Sequence, residues 1–207
     1  MIAVRAWLGA AAVLFVLVGC AGCGGDDGEP VAPVGQASTV DSGAAPAVHG
    51  VASLPPSTPT EIAIPKIGAR SSLVLLGLNA DRTIQVPPVD QPMQAGWYDK
   101  APTPGEVGPA IVLGHVDGNK KPGIFHRLKE LVVGDEIAVS RQDGKTAQFK
   151  VTHVEQIAKR EFPTDKVYGD TQGPELRLIT CGGQFDHAAH SYKDNIIVYA
   201  ALIPPVS

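Results

Sequence analysis

The chain has 207 residues, a formal net charge of −4 and 18% charged residues. That charge balance excludes an electrostatic binder of nucleic acid, and the length allows one medium domain with appendages. Its three cysteines are unevenly spread: Cys20 and Cys23 lie in an apolar N-terminal stretch, so Cys181 stands alone in the part patterned for folding.

Residues 1–25 carry one charge, Arg5, followed by an apolar stretch from Ala6. A basic start followed by an apolar run is the layout of an export signal. Its end, Leu17-Val18-Gly19-Cys20, resembles a bacterial lipobox, in which the cysteine is lipidated and becomes the new N-terminus. Residues 6–25 are also free of charge, and 20 such residues at about 1.5 Å each suffice to cross a bilayer. Arg5 on one side and Asp26, Asp27 and Glu29 on the other orient the remainder outward. The sequence leaves both readings open, a lipidated Cys20 and a transmembrane anchor. Either tethers the rest of the chain to the extracytoplasmic face of the cell membrane.

Residues 26–59 read as a linker. They hold six prolines, many small residues, four acids and no Lys or Arg, with no periodicity of a packed element. Such a segment is expected to be disordered or partly polyproline-like. The folded domain is expected over residues 60–207, nearly neutral and large enough for one core. A chain beginning at Thr60 is expected to be soluble and monomeric.

Short apolar runs separated by Pro and Gly then follow one another. Strands are predicted at 62–64 and 73–76, with a turn and short strand at 81–87. The run 110–115, bounded by Pro109 and Gly118, predicts a buried strand that ends on His115. Residues 136–140 and 147–154, joined through Asp143-Gly144, predict a hairpin. Strands at 176–181 and 196–203 close the series. Helix is expected only as a turn or two at 124–131 and another at 164–168. Many short strands at such intervals imply a mostly antiparallel barrel or sandwich.

Cys181 ends a strand-like run and is followed by Gly182-Gly183. An exported domain with one cysteine has no internal disulfide partner for it. A thiol on a rigid strand beside glycines suits a nucleophile, though a buried cysteine acting as a small hydrophobe is the plainer alternative. A nucleophilic thiol needs a group that stabilises its thiolate and protonates the leaving group, and His is the usual one near neutral pH. Of six histidines, His49 lies in the linker, and His126 and His153 read as surface residues. His187 and His190 have a spacing that suggests metal, but no second cluster supports it. His115, like Cys181, follows apolar residues and precedes a glycine-containing loop.

Gly114-His115-Val116-Asp117-Gly118, then Gly123-Ile124-Phe125 with Leu128, Gly134-Asp135-Glu136, and Leu176-Arg177-Leu178-Ile179-Thr180-Cys181-Gly182-Gly183 together resemble a sortase. The pattern is most similar to the class F group of actinobacteria. Pro65-Lys66-Ile67-Gly68 and Gly96-Trp97-Tyr98 add to the resemblance, which spans 60–203 in the same order. It implies an eight-stranded β-barrel with short helices, and a cysteine transpeptidase that cleaves an LPXTG-like sorting signal through a thioacyl intermediate. An amine, often from a cell-wall precursor, then takes the acyl group. By this resemblance Cys181 is the nucleophile and His115 the general acid and base. The family's third residue is an arginine near the start of the last strand, and this chain has none after Cys181. The matching place falls around 193–195, and Lys193 is the expected substitute, with Asn195 a neutral donor and Arg177 a further candidate. No cofactor or metal is implied. Two alternatives stay open: a thiol hydrolase that does not transfer, and a non-catalytic, membrane-tethered barrel that binds an envelope component.

Overall fold

The computed structural model describes residues 52–204. The export or anchor segment and most of the linker lie outside the described residues. No helix among the described residues is long and apolar enough to cross a membrane.

Ten strands occur in chain order: β1 (Pro59–Ile64), β2 (Ala69–Leu76), β3 (Ala95–Tyr98), β4 (Gly108–Gly114), β5 (Asp117–Gly118), β6 (Lys121–Pro122), β7 (Glu136–Arg141), β8 (Thr146–Ala158), β9 (Pro174–Asp186) and β10 (Ser191–Leu202). One short helix, α1 (Thr164–Tyr168), lies between β8 and β9. Eight of the strands close into a barrel in the order β1-β2-β3-β4-β9-β10-β8-β7, and β5-β6 form a small separate hairpin. Closure leaves the barrel itself without an unpaired edge for another chain to extend. The ladders are antiparallel except β2–β3 and β4–β9.

Alternation builds the core. In the β7–β8 hairpin Ile137, Val139, Ala147, Phe149 and Val151 point inward while their neighbours are exposed or half-buried. Full burial of a side chain such as Phe149 stabilises by roughly 1.5–3 kcal/mol. The predicted turn at Asp143-Gly144 is present, with the Asp143 carboxylate accepting from the Lys145 N–H at 3.0 Å. A second apolar cluster lies on the outer face of the sheet: Ile111, Val167, Ile179, Ile197 and Tyr199. It forms because β4, β9 and β10 are apolar on both faces, with Val167 of α1 covering the outer one.

Several elements differ from the sequence expectation. No strand forms at 81–87. The Asp81 carboxylate accepts from the Thr83 N–H and hydroxyl, closing a turn, and only an isolated bridge joins Leu78 to Ile84. β3 is an additional barrel strand, short and glycine-containing, paired on both sides. β9 does not stop at Cys181 but continues to Asp186 and forms a long hairpin with β10. The glycines after Cys181 form a bulge within the strand: Gly183 has φ +72°, a left-handed conformation that glycine adopts without strain.

The linker also ends earlier than residue 59. Leu54 packs against the core and its N–H donates to the Gly105 carbonyl at 2.7 Å. The buried Arg141 guanidinium donates to the Pro55 and Pro104 carbonyls and pairs with Asp143 at 2.9 Å. Residues 54–58 are therefore part of the barrel's shell, because the Pro55 carbonyl completes the set of acceptors around a buried cation.

Candidate active site

Parallel pairing of β4 with β9 sets Leu113 opposite Ile179. Two residues further along each chain come His115 and Cys181, which alternation keeps on the same outer face as Leu113 and Ile179. On its other flank Cys181 pairs with Asn195 of β10. Cys181, His115 and Asn195 line one cleft of about 130 Å³, walled by Val86, Pro87 and Leu113. Both His115 and Cys181 are half-buried, which suits groups that must meet a substrate.

His115 is held by backbone and by ring. The Phe125 N–H donates to the His115 carbonyl at 3.0 Å, and the Gly123 N–H donates to that of Val116 at 2.9 Å. A Cβ on Gly123 would sit 2.2 Å from the His115 carbonyl oxygen, so only glycine permits this approach. That explains Gly123-Ile124-Phe125: the glycine closes the loop on His115, while Ile124 and Phe125 anchor it in the core. The ring Nε2 lies 2.7 Å from the Pro87 carbonyl oxygen. A carbonyl only accepts, so Nε2 carries a proton and Nδ1 is the nitrogen free to gain or release one.

A second cleft of about 250 Å³ shares Thr180 and Cys181 with the first and is lined further by Phe125, His126, Lys129 and Tyr192. The Thr180 hydroxyl is buried and has no hydrogen-bond partner among the described residues. The Tyr192 hydroxyl donates to the Asp117 carboxylate, tying β10 to the β5–β6 hairpin. That bond, with burial and the charge of Asp117, pushes the Tyr192 phenol up to about 12.

Lys193 does not line either cleft at Cys181; it is exposed, and its ammonium donates to Gln184 at 3.1 Å. Arg177 is on the outer face but buried, paired with Glu175 at 2.7 Å and stacked 4.5 Å from the Tyr199 ring centroid. Of the three donors considered for the missing arginine, Asn195 is the one the fold brings beside the thiol. His187 and His190 sit in the turn between β9 and β10, and no cluster of three potential metal ligands occurs among the described residues. His126 and Lys129 were not legible as site residues. Their charged neighbourhood reads as solvated surface, and only the burial of Phe125 and Leu128 beside them packs this segment against β8 and β10.

A family model for the sortase domain matches residues 62–203. The chain belongs to the sortase family. Sortases are cysteine transpeptidases, and the conjunction of Cys181 on β9 with His115 just past the end of the adjacent β4 is consistent with that membership. Among solved structures, a Clostridium perfringens sortase D5 transpeptidase is similar, with TM-score 0.53 and 23% identity, covering 70% of this chain and 79% of that one. Sortase A from Corynebacterium diphtheriae gives TM-score 0.53 and 18% identity over 72% of this chain and 63% of its own. Sortase C-1 from Actinomyces oris gives 0.53 and 20%, over 70% and 74%. At these identities the likeness concerns the fold. A comparison with curated proteins found no match.

Proposed function

We propose that this sortase, of the class F type, cleaves an LPXTG-like sorting signal and transfers the acyl group to an amine at the outer face of the cell membrane, to which its N-terminal segment tethers it. The observation that carries this reading is the meeting of His115 and Cys181 in one cleft, from strands far apart in sequence. The Cys181 thiolate attacks the Thr–Gly carbonyl carbon and a C–S bond forms. The tetrahedral oxyanion is held by the Asn195 amide, the donor paired with Cys181. As the C–N bond breaks, His115 gives its Nδ1 proton to the departing amine, leaving a thioester. An incoming amine then attacks the thioester carbon and loses a proton to His115. The thiolate leaves, and a new amide is complete.

The test is mass spectrometry of the purified protein with a panel of sorting-signal peptides, seeking a thioester adduct on Cys181. Repeating it with and without an amine separates transfer from hydrolysis. If no peptide leaves an adduct and Cys181 reacts with a thiol reagent no faster than an ordinary cysteine, the barrel is a binding protein instead.

A further inference from the structure

The cleft that shares Thr180 and Cys181 with the His115 cleft has a charge that the proposed chemistry does not yet use. Lys129 and His126 line it, and an adjoining cleft, which shares Val116 and His126 with it, is lined by Lys120 and Lys121. Among the described residues none of these three lysines has an ion-pair partner, although the chain as a whole is acidic. Of the acids nearby, Glu130 is paired with Arg127, while Asp117 and Asp194 accept from the neutral Tyr192 hydroxyl and Gln156 amide and keep their charge. Three lysines without ion-pair partners outnumber these two carboxylates, so the strip leading to the thiol is net positive.

The β5–β6 hairpin shows that one of these cations is kept at a conformational cost. Its two-residue turn is Asn119-Lys120, with φ +49° and +59°. Such a turn favours glycine at its second position, and a lysine there is strained. Strain retained at the rim of a cleft that adjoins the thiol's points to a use for the side chain.

We propose that this second cleft is the acceptor site and that Lys129, Lys120, Lys121 and His126 select amines bearing an anionic group, carboxylate or phosphate, near the nucleophilic nitrogen. The inference rests on the transpeptidase reading above. The amine enters beside Thr180 and Tyr192 and attacks the thioester on Cys181. Its anion stays behind on the lysines, and the step otherwise proceeds as written.

The test uses the acyl-enzyme and three matched amines: 3-aminopropionate, 2-aminoethyl phosphate and the neutral 3-aminopropionamide. The quantity read is the ratio of transfer to an anionic amine over transfer to the neutral one, at equal free-base concentration. This ratio does not depend on how fast the acyl-enzyme forms. It is expected to exceed unity by about tenfold, from two or three exposed charge pairs, and to fall as salt rises. Whichever anionic amine gives the larger ratio tells whether carboxylate or phosphate is the group recognised. Lys129→Gln should pull the ratio toward one. Lys120→Gly should lower it too, while leaving the thermal midpoint unchanged or raised, since glycine relieves the turn. Equal transfer to all three amines, or a ratio indifferent to both substitutions, overturns the proposal. If no acyl-enzyme forms, the transpeptidase reading fails. The site is then judged by titrating Cys181→Ala protein with 2-aminoethyl phosphate and 3-aminopropionate, following the His126 ring resonances. A saturable shift abolished by Lys129→Gln supports an anion site, and no shift overturns it.

Discussion

Cys181 and His115 act through different deficits when removed. Cys181→Ala takes away the only thiol in the described domain, so no acyl-enzyme adduct should be seen by mass spectrometry with any peptide. His115→Ala leaves a thiol but removes proton transfer, and turnover should drop roughly 100- to 10,000-fold. Asn195 and Lys193 form a sharper pair. The Asn195→Ala substitution should lower turnover about 100-fold or more, as for loss of one oxyanion donor, with circular dichroism unchanged. Lys193→Ala should change turnover little, because its ammonium is spent on Gln184 in the solvent. The reverse outcome would return the family's arginine role to Lys193.

The segments around the thiol are positioned by bonds between elements. The Tyr192–Asp117 contact joins β10 to the β5–β6 hairpin, and its electrostatic signature is a phenol pushed up to about 12. A group whose folded pKa lies above its unfolded value of about 10 stabilises fully below pH 10. That contribution is lost as pH rises from there through about 12. Phenolate absorbance should therefore show a tyrosine ionising near pH 12, and Tyr192→Phe should remove it. Tyr199 also ionises late, since burial and its bond to Glu155 favour the neutral phenol, and it serves as the internal control. On the outer face, the Tyr199 ring lies between the Lys166 ammonium and the Arg177 guanidinium, each 4.5 Å from its centroid. Those contacts, with Val167, fasten α1 to β9 and β10 and leave Arg177 no freedom to serve the thiol.

At the scale of the whole molecule, the barrel depends on chain that precedes its first strand. Residues 54–58 supply the Pro55 carbonyl to the buried Arg141, the Thr58 carbonyl to Gln142, and the Leu54 side chain to the core. A chain that begins at residue 60 leaves part of the Arg141 guanidinium buried without an acceptor, at a cost of about 1–3 kcal/mol, and uncovers apolar surface. It should unfold at a lower denaturant midpoint than one beginning at residue 52. Equal midpoints would show that the segment only rests on the barrel.

Sequence alone determined the elements whose residues alternate or run apolar without a break. The β7–β8 hairpin, β4 and the start of β9 were legible because burial of one or both faces writes itself into side-chain pattern. The pairing of Cys181 with His115 in one cleft was legible too, since a lone thiol and a histidine after an apolar run already demand an explanation. β3 was not, because four residues around a glycine carry too little pattern to separate strand from turn. Nor were the cations of the second cleft, which look like any solvated charge until Phe125 and Leu128 bury themselves beside them. The positions of Lys193 and Asn195 show most plainly what only tertiary structure decides. Between Gly182 and Phe185 β9 takes three steps where β10, from Asp194 to Tyr192, takes two. Counting along either strand therefore loses the register across the bulge, and a slip of one residue sends a side chain to the opposite face. Chemistry proposed a cation for the thiol, whereas the regular register of β10 on β9 sets Asn195 beside Cys181 and leaves Lys193 in the bulge beyond.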